Sequence, residues 1–224
     1  MAYNIGYLSG MTNNQPVKRD SSLFTKNMSA AVDMLRASSP DIIGFQEIDF
    51  GAARSLKVHQ LDTLGVRAGY AFGAQAVNWD VRYLPFPSDD PAFHFGMVQS
   101  GQAVLSRYPV VSHERVALQR TSRPFWNDAF YLDRLAQITE VAVGADTLTV
   151  INVHLEAFEE ETREAQAEEV RRLVQDRLNT GDMENTGRAA RPVLLMGDFN
   201  SVPPAAREAL PEEERTAFAT DETI

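Results

Sequence analysis

The apolar residues of this chain fall in short runs, and several runs end in side chains able to do chemistry. Asp41 to Gln46 (DIIGFQ) is followed by Glu47, Leu148 to His154 ends in an imidazole, and Val193 to Met196 leads into Gly197-Asp198-Phe199-Asn200. Runs this short, bounded by turn formers, are the length of buried strands rather than helices. In layered α/β proteins, functional groups gather at the C-terminal ends of such strands, where loops sit on a rigid frame. Tyr3 to Leu8, bounded by Gly10, reads as a further strand of this kind, and Tyr70 to Ala76 and Ala103 to Ser106 as others.

Helical spacing alternates with these runs. Phe24, Met28, Ala31, Val32 and Leu35 define one helix, with Ser21 or Ser22 as its cap and Pro40 closing it. Leu56 to Leu64 gives a weaker helical signal. Glu159 to Leu178 is a long helix with Ala165, Val170, Leu173, Val174 and Leu178 as its buried stripe. Arg134 to Val143 alternates and is joined to Leu148 to His154 through Gly144-Ala145-Asp146, which predicts a hairpin. Trp79 to Pro91 and Thr180 to Arg191 read as loops. Strands mixed with helices, with a hairpin as well as crossovers, predict α/β or α+β architecture with mixed sheets in one domain spanning 1–224.

Composition narrows the chemistry. There is no cysteine, so disulfides and thiolate metal sites are excluded and any metal must be held by oxygen or nitrogen. No apolar run reaches membrane-spanning length and no secretory signal is visible, which favours a cytoplasmic protein without a transmembrane segment. The net charge of −10 weighs against duplex nucleic acid, whose binders carry a basic surface. The acid is concentrated between Glu159 and Glu184, as expected for the solvated face of one helix.

The strand-end groups suit hydrolysis of a phosphate ester. Glu47 is a hard oxygen ligand of the kind Mg²⁺ or Mn²⁺ prefers. Asp198 can orient or deprotonate a water, and Asn200 can hold that water or a phosphate oxygen. His154 can donate to a non-bridging oxygen, where charge gathers in the transition state. Arg134, at the start of the hairpin, can clamp phosphate with two parallel hydrogen bonds. Trp79, Tyr83, Phe86, His94 and Phe95 are candidates for a cleft wall or for plain loop packing.

These residues sit in segments that together resemble the endonuclease/exonuclease/phosphatase superfamily. Gln46-Glu47 is similar to its QE motif, Asn152-Val153-His154-Leu155 to its N-x-H-L motif, and Gly197-Asp198-Phe199-Asn200-Ser201 to its GDFN motif. Tyr3-Asn4-Ile5 resembles the opening strand, and Ser100 to Pro109 (SGQAVLSRYP) the central segment. The segments occur in the family's order across nearly the whole chain. The resemblance implies a four-layer α/β sandwich, two mixed sheets face to face with helices outside, and a divalent cation, usually Mg²⁺. It further implies in-line attack of water on phosphorus, Glu47 as metal ligand with Asn4 beside the metal, and a phenol that Tyr131 could supply. The substrate it implies is a phosphoester, either nucleic acid or a small or lipid phosphoester.

One part of the pattern is absent. The family closes with an Asp-x-Ile/Leu-Asp-Tyr strand and a Ser-Asp-His motif, yet none of the four histidines, His59, His94, His113 and His154, follows Asn200. Thr220-Asp221-Glu222 reads as a helix start with nothing after it. The expectation is therefore a shortened domain, weak or inactive on its own, or a non-catalytic relative that binds without turnover.

Overall fold

The computed structural model describes residues 1–10, 12, 15–18, 20–121, 131–179, 191–217 and 223. Of the expected loop Thr180 to Arg191 only Arg191 falls within these, and the helix start expected at Thr220-Asp221-Glu222 lies outside them.

Two four-stranded sheets form the centre of the molecule. The first contains β1 (Ala2–Asn4), β2 (Ile42–Asp49), β3 (Phe72–Leu84) and β4 (Gly96–Ser106) in the order β1-β2-β4-β3. The second contains β5 (Val110–Ala117), β6 (Leu135–Val143), β7 (Asp146–His154) and β8 (Val193–Asp198) in sequential order. Each sheet is mixed: β1 runs parallel to β2 and β7 parallel to β8, while the other neighbours are antiparallel.

Strand alternation sorts side chains into layers. On β2, Ile43 and Phe45 join Ala103 and Leu105 of β4 against α1 (Ser21–Ser38) and α2 (Gln60–Ala68). The α1 side of that core is Phe24, Met28, Ala31, Val32 and Leu35, the stripe its spacing predicts. On the second sheet, Ala136, Ile138, Ile151 and Val153 face Val170 and its neighbours on α3 (Glu160–Asn179). The opposite faces meet between the sheets, where Ile42 and Val104 pack against Val141, Val150 and Met196. The layers run helix, sheet, sheet, helix, the four-layer sandwich expected. Burying a leucine as fully as Leu35 contributes about 2 kcal/mol.

Several local expectations need correction. The Tyr3 to Leu8 strand stops at Asn4, because Gly6, Tyr7 and Leu8 take positive φ and turn into a 3₁₀ segment, Gly6–Leu8. Asp20, not Ser21 or Ser22, caps α1, its carboxylate accepting from the Ser22 amide. The second helix begins at Gln60 rather than Leu56, after a 3₁₀ turn at Ala53–Ser55. Trp79 and Tyr83 lie on a strand, since β3 continues to Leu84 before the prolines break it. Leu178 is exposed, outside the buried stripe of α3. Two short helices, α4 (Pro204–Arg207) and α5 (Glu212–Ala217), follow β8. Among the described residues, no helix is long and apolar enough to cross a membrane.

Candidate active site

The two parallel strand pairs, one from each sheet, end at the same edge of the sandwich. Register places Asn4 beside Gln46 at the end of β1 and β2, and His154 beside Asp198 at the end of β7 and β8. Glu47 is turned toward this edge by an irregularity in β2 between Phe45 and Ile48, where Glu47 itself adopts φ 52°. A bulge of this kind re-aims a side chain. Holding a non-glycine residue in that left-handed region costs about 1–2 kcal/mol, which the surrounding sheet must offset.

The side chains converge across the seam between the sheets. The Asn4 amide donates to Asp198 Oδ2 at 2.7 Å and to Glu47 Oε1 at 3.2 Å, while its own oxygen accepts from the Gly6 amide at 3.0 Å. His154 Nε2 stands 4.0 Å from Glu47 Oε1 and 3.9 Å from Asp198 Oδ2. Asp198 Oδ1 accepts from the Asn200 amide at 2.9 Å, and the Asn200 side chain donates to the Leu155 carbonyl at 2.8 Å. Asn200 sits at φ 49°. Asp198-Phe199-Asn200 thus forms an Asx turn, and it carries Asn200 to the wall of the cleft.

Burial dominates the electrostatics here. Burial pushes the Glu47 carboxyl above its usual range; the Asn4 hydrogen bond and the nearby Arg54 and Arg134 charges oppose this, and Asp198 adds to it. Burial, helped by Arg134 and opposed by Asp198, lowers the His154 imidazole to about 3. His154 is thus neutral at pH 7, able to give or take one hydrogen bond at each ring nitrogen but not to serve as a cation.

A polar network lies directly behind the site. Asn152, fully buried between the sheets, accepts from Gln46 Nε2 at 2.5 Å. It donates to the Phe45 carbonyl at 3.1 Å, the Ala103 carbonyl at 3.3 Å and Gln137 Oε1 at 3.2 Å. Gln102 reaches its backbone carbonyl at 2.8 Å. The Asn of the N-x-H-L segment is therefore a tie between sheets, two residues below His154. Gly44 makes room for it: a Cβ there would stand 2.6 Å from Asn152 Oδ1.

The site opens into a cleft of about 1320 Å³. Arg134, at 6% exposure, lines it together with Tyr131, His154 and Asn200, so Arg134 is enclosed rather than a surface residue. Trp79, Leu84, Phe86 and Phe95 form an apolar part of the lining, whereas Tyr83 and His94 pair with each other at 2.6 Å outside it. Arg54 stands at the back of the cleft, ion-paired with Asp49 at 2.9 Å and lying 3.5 Å from the centre of the Tyr7 ring.

The donor set fits a hard divalent cation. Glu47 and Asp198 supply carboxylate oxygens on either side of one amide N–H₂ group, a position where positive charge is favoured. Among the described residues, no group of three or more His, Asp or Glu side chains forms a complete cage. Mg²⁺ does not need one, because it keeps several waters and takes one or two carboxylates. As oriented, Asn4 offers its nitrogen to the carboxylates, so it steadies them; ligation through Oδ1 requires the amide to turn over.

This layering, with the site at the common strand ends, is that of a DNase I-like α/β sandwich. The family model of the endonuclease/exonuclease/phosphatase family matches residues 1–215, and the chain belongs to that family. Its members are phosphoester hydrolases, generally dependent on a divalent metal. Among solved structures, the chain is similar to an endonuclease/exonuclease/phosphatase from Beutenbergia cavernae DSM 12333, with TM-score 0.59 and 19% identity over 90% of this chain and 48% of that one. It is also similar to ANGEL2, a 2',3'-cyclic phosphatase (TM-score 0.56, 16% identity, 91% of this chain and 52% of that one). TDP2 from Caenorhabditis elegans is a third (TM-score 0.51, 20% identity, 95% of this chain and 48% of that one). Likeness at these identities speaks for the fold alone. The chain spans about half the length of these three structures. No curated protein matches it in sequence.

Sequence reasoning named Asn4, Glu47, Tyr131, Arg134, His154, Asp198 and Asn200, and all of them line the cleft or bond a residue that does. It missed Glu156, which accepts from the Tyr131 hydroxyl at 3.0 Å, and the Arg54–Asp49 pair. The position of Glu156, two residues beyond His154 on the same chain exit, was the available signal.

Proposed function

We propose that the chain is a single domain that hydrolyses a phosphate ester by in-line attack of water on phosphorus, with Mg²⁺ or Mn²⁺ as cofactor. The convergence of Glu47, Asp198, Asn4 and His154 across the sheet seam carries this reading. Glu47 would hold the cation, with Asn4 keeping Glu47 and Asp198 together. A divalent cation bound there would neutralise charge on the phosphate and on the leaving oxygen.

The remaining steps fall to side chains of the chain. Asp198, fixed by Asn4 and the Asn200 amide, orients the attacking water and takes its proton. His154, neutral, donates to a non-bridging oxygen as charge develops there. Arg134 neutralises the phosphate beside His154, with Tyr131 and Asn200 as further hydrogen-bonding groups. The net charge of −10 favours a small or lipid phosphoester over a long nucleic acid. A reading as a binding domain without turnover is favoured by one observation: among the described residues, His154 is the only histidine lining the cleft.

The test is hydrolysis of bis(p-nitrophenyl) phosphate and p-nitrophenyl phosphate with and without Mg²⁺ or Mn²⁺. Turnover that needs the metal and is lost in Glu47→Gln is expected. Retained turnover in Glu47→Gln at saturating metal removes the metal assignment, and phosphate binding without turnover of either substrate favours the binding domain. His154→Ala should lower turnover by about 10²–10³-fold with little change in metal affinity.

A further inference from the structure

Glu156 is a buried carboxylate outside the cleft lining, yet it touches two groups that belong to that lining. The Tyr131 hydroxyl donates to its Oε2 at 3.0 Å and to its Oε1 at 3.2 Å. Arg134 Nε faces Oε2 at 3.6 Å, close enough for an ion pair and too far for a hydrogen bond, and that nitrogen is buried without a hydrogen-bond partner. The carboxylate is itself fixed. Its Oε1 accepts from the Phe158 amide at 3.1 Å, while the Glu156 amide donates to Gln166 Oε1 at 2.8 Å on α3.

We propose that Glu156 is a positioning residue that holds the Tyr131 phenol and the Arg134 guanidinium as one unit facing the substrate phosphate. The physical reason is the cost of the alternative. A free arginine and a tyrosine on the rim of a cleft must each lose side-chain freedom when they bind phosphate, about 1–2 kcal/mol for the arginine. Here one carboxylate, at 1% exposure and tethered to a helix, removes that freedom beforehand. The 3.6 Å gap leaves Arg134 room to settle: when its outer nitrogens engage phosphate, Nε can close onto Oε2. Hydrogen bonds at such sites are often long before ligand arrives. A carboxyl group buried this deeply needs polar partners, and Tyr131, Arg134 and the Phe158 amide supply them together.

The inference rests on the phosphate reading of the cleft, so the test measures the two separately. The first measurement is the Arg134 Nε–H resonance in ¹⁵N-arginine-labelled protein, assigned through its loss in Arg134→Lys. The second is calorimetric binding of inorganic phosphate in the presence of Mg²⁺. Glu156→Gln should shift the resonance and weaken phosphate binding by about 10- to 100-fold, the range for a lost interaction with a charged group. Arg134→Ala should weaken binding similarly, and the double variant little further. Glu156→Asp should recover part of the loss. If Glu156→Gln does not fold, Tyr131→Phe, which leaves the carboxylate in place, should give a smaller shift of the same resonance and a smaller loss. An unmoved resonance overturns the positioning role. A shifted resonance with unchanged phosphate affinity reduces Glu156 to a structural residue. Absence of phosphate binding in the parent, with the resonance still shifting, overturns the cleft reading and this proposal with it.

Discussion

Replacing Gly44 by alanine tests whether Asn152 is a structural tie or a group held for catalysis. The new Cβ would stand 2.6 Å from Asn152 Oδ1 and 2.8 Å from its Cγ, both closer than real Cβ contacts allow. Asn152 cannot move aside without releasing Gln46, Gln137 and two strand carbonyls, so the substitution should cost about 1–3 kcal/mol, the range for overpacking. Asn152→Ala alone strands Gln137 Oε1 and leaves Gln46 Nε2 with only the Gly44 carbonyl at 3.2 Å. That should cost about 3 kcal/mol. For a chain of 224 residues the melting temperature would fall by roughly 6–12 °C. The two losses should not add. With Asn152 shortened, the nearest remaining obstacle to an alanine at Gly44 is Met196 Cε at 3.1 Å, the flexible end of a side chain. Gly44→Ala in the Asn152→Ala background should therefore be nearly neutral, a coupling of about 1 kcal/mol or more. Urea unfolding of the four proteins measures it. Additivity within about 0.5 kcal/mol would refute the reasoning.

Because His154 is lowered to about 3 while an unfolded histidine titrates near 6.5, the unfolded state binds more protons between those values. Stability from keeping His154 neutral is complete above about pH 6.5 and is lost as pH falls toward 3. His154→Gln should flatten the urea midpoint between pH 6.5 and 4 relative to the parent; parallel curves would contradict the shift. Asp49→Asn leaves the Arg54 guanidinium buried without its partner and should cost about 3–5 kcal/mol in denaturant unfolding, with a loss below about 1 kcal/mol counting against it. Gly197→Ala would place a Cβ 2.1 Å from the Val153 carbonyl. Its β7–β8 strain should move Asp198 away from His154 and lower turnover more than substrate affinity, as steady-state kinetics would read.

The strand ends were legible because a polar group after a short apolar run is conspicuous, and parallel pairing carries such ends to one edge. What brings Asn4 to Asp198 could not be read, since it depends on how two sheets dock. The segment Trp79 to Leu84 was misread although it alternates, with Trp79 and Val81 packing while Asp80 and Arg82 point away. The prolines at 85 and 87 hid that period. β5 left no signal because Ser112, His113, Glu114 and Arg115 sit on an exposed edge. Glu156 escaped because its burial is set by α3, a tertiary effect absent from its neighbours in sequence. Asn152 was noticed for its place beside His154, and the packing around it gives it a different task.

The bond between Asn4 and Asp198 spans 194 positions of the chain. Synthesis at about 5–20 residues per second leaves Asn4 waiting roughly 10–40 s for its partner to emerge. Through that interval the first sheet can form while the carboxylate pair does not yet exist, so a nascent chain holds Glu47 alone. Closing so long a loop is slow, and pairing across it belongs to the late part of folding. In refolding, metal capture should trail the recovery of secondary structure and keep time with the docking of the two sheets. The residue pair proposed for chemistry would then double as a clock for the docking of the two sheets.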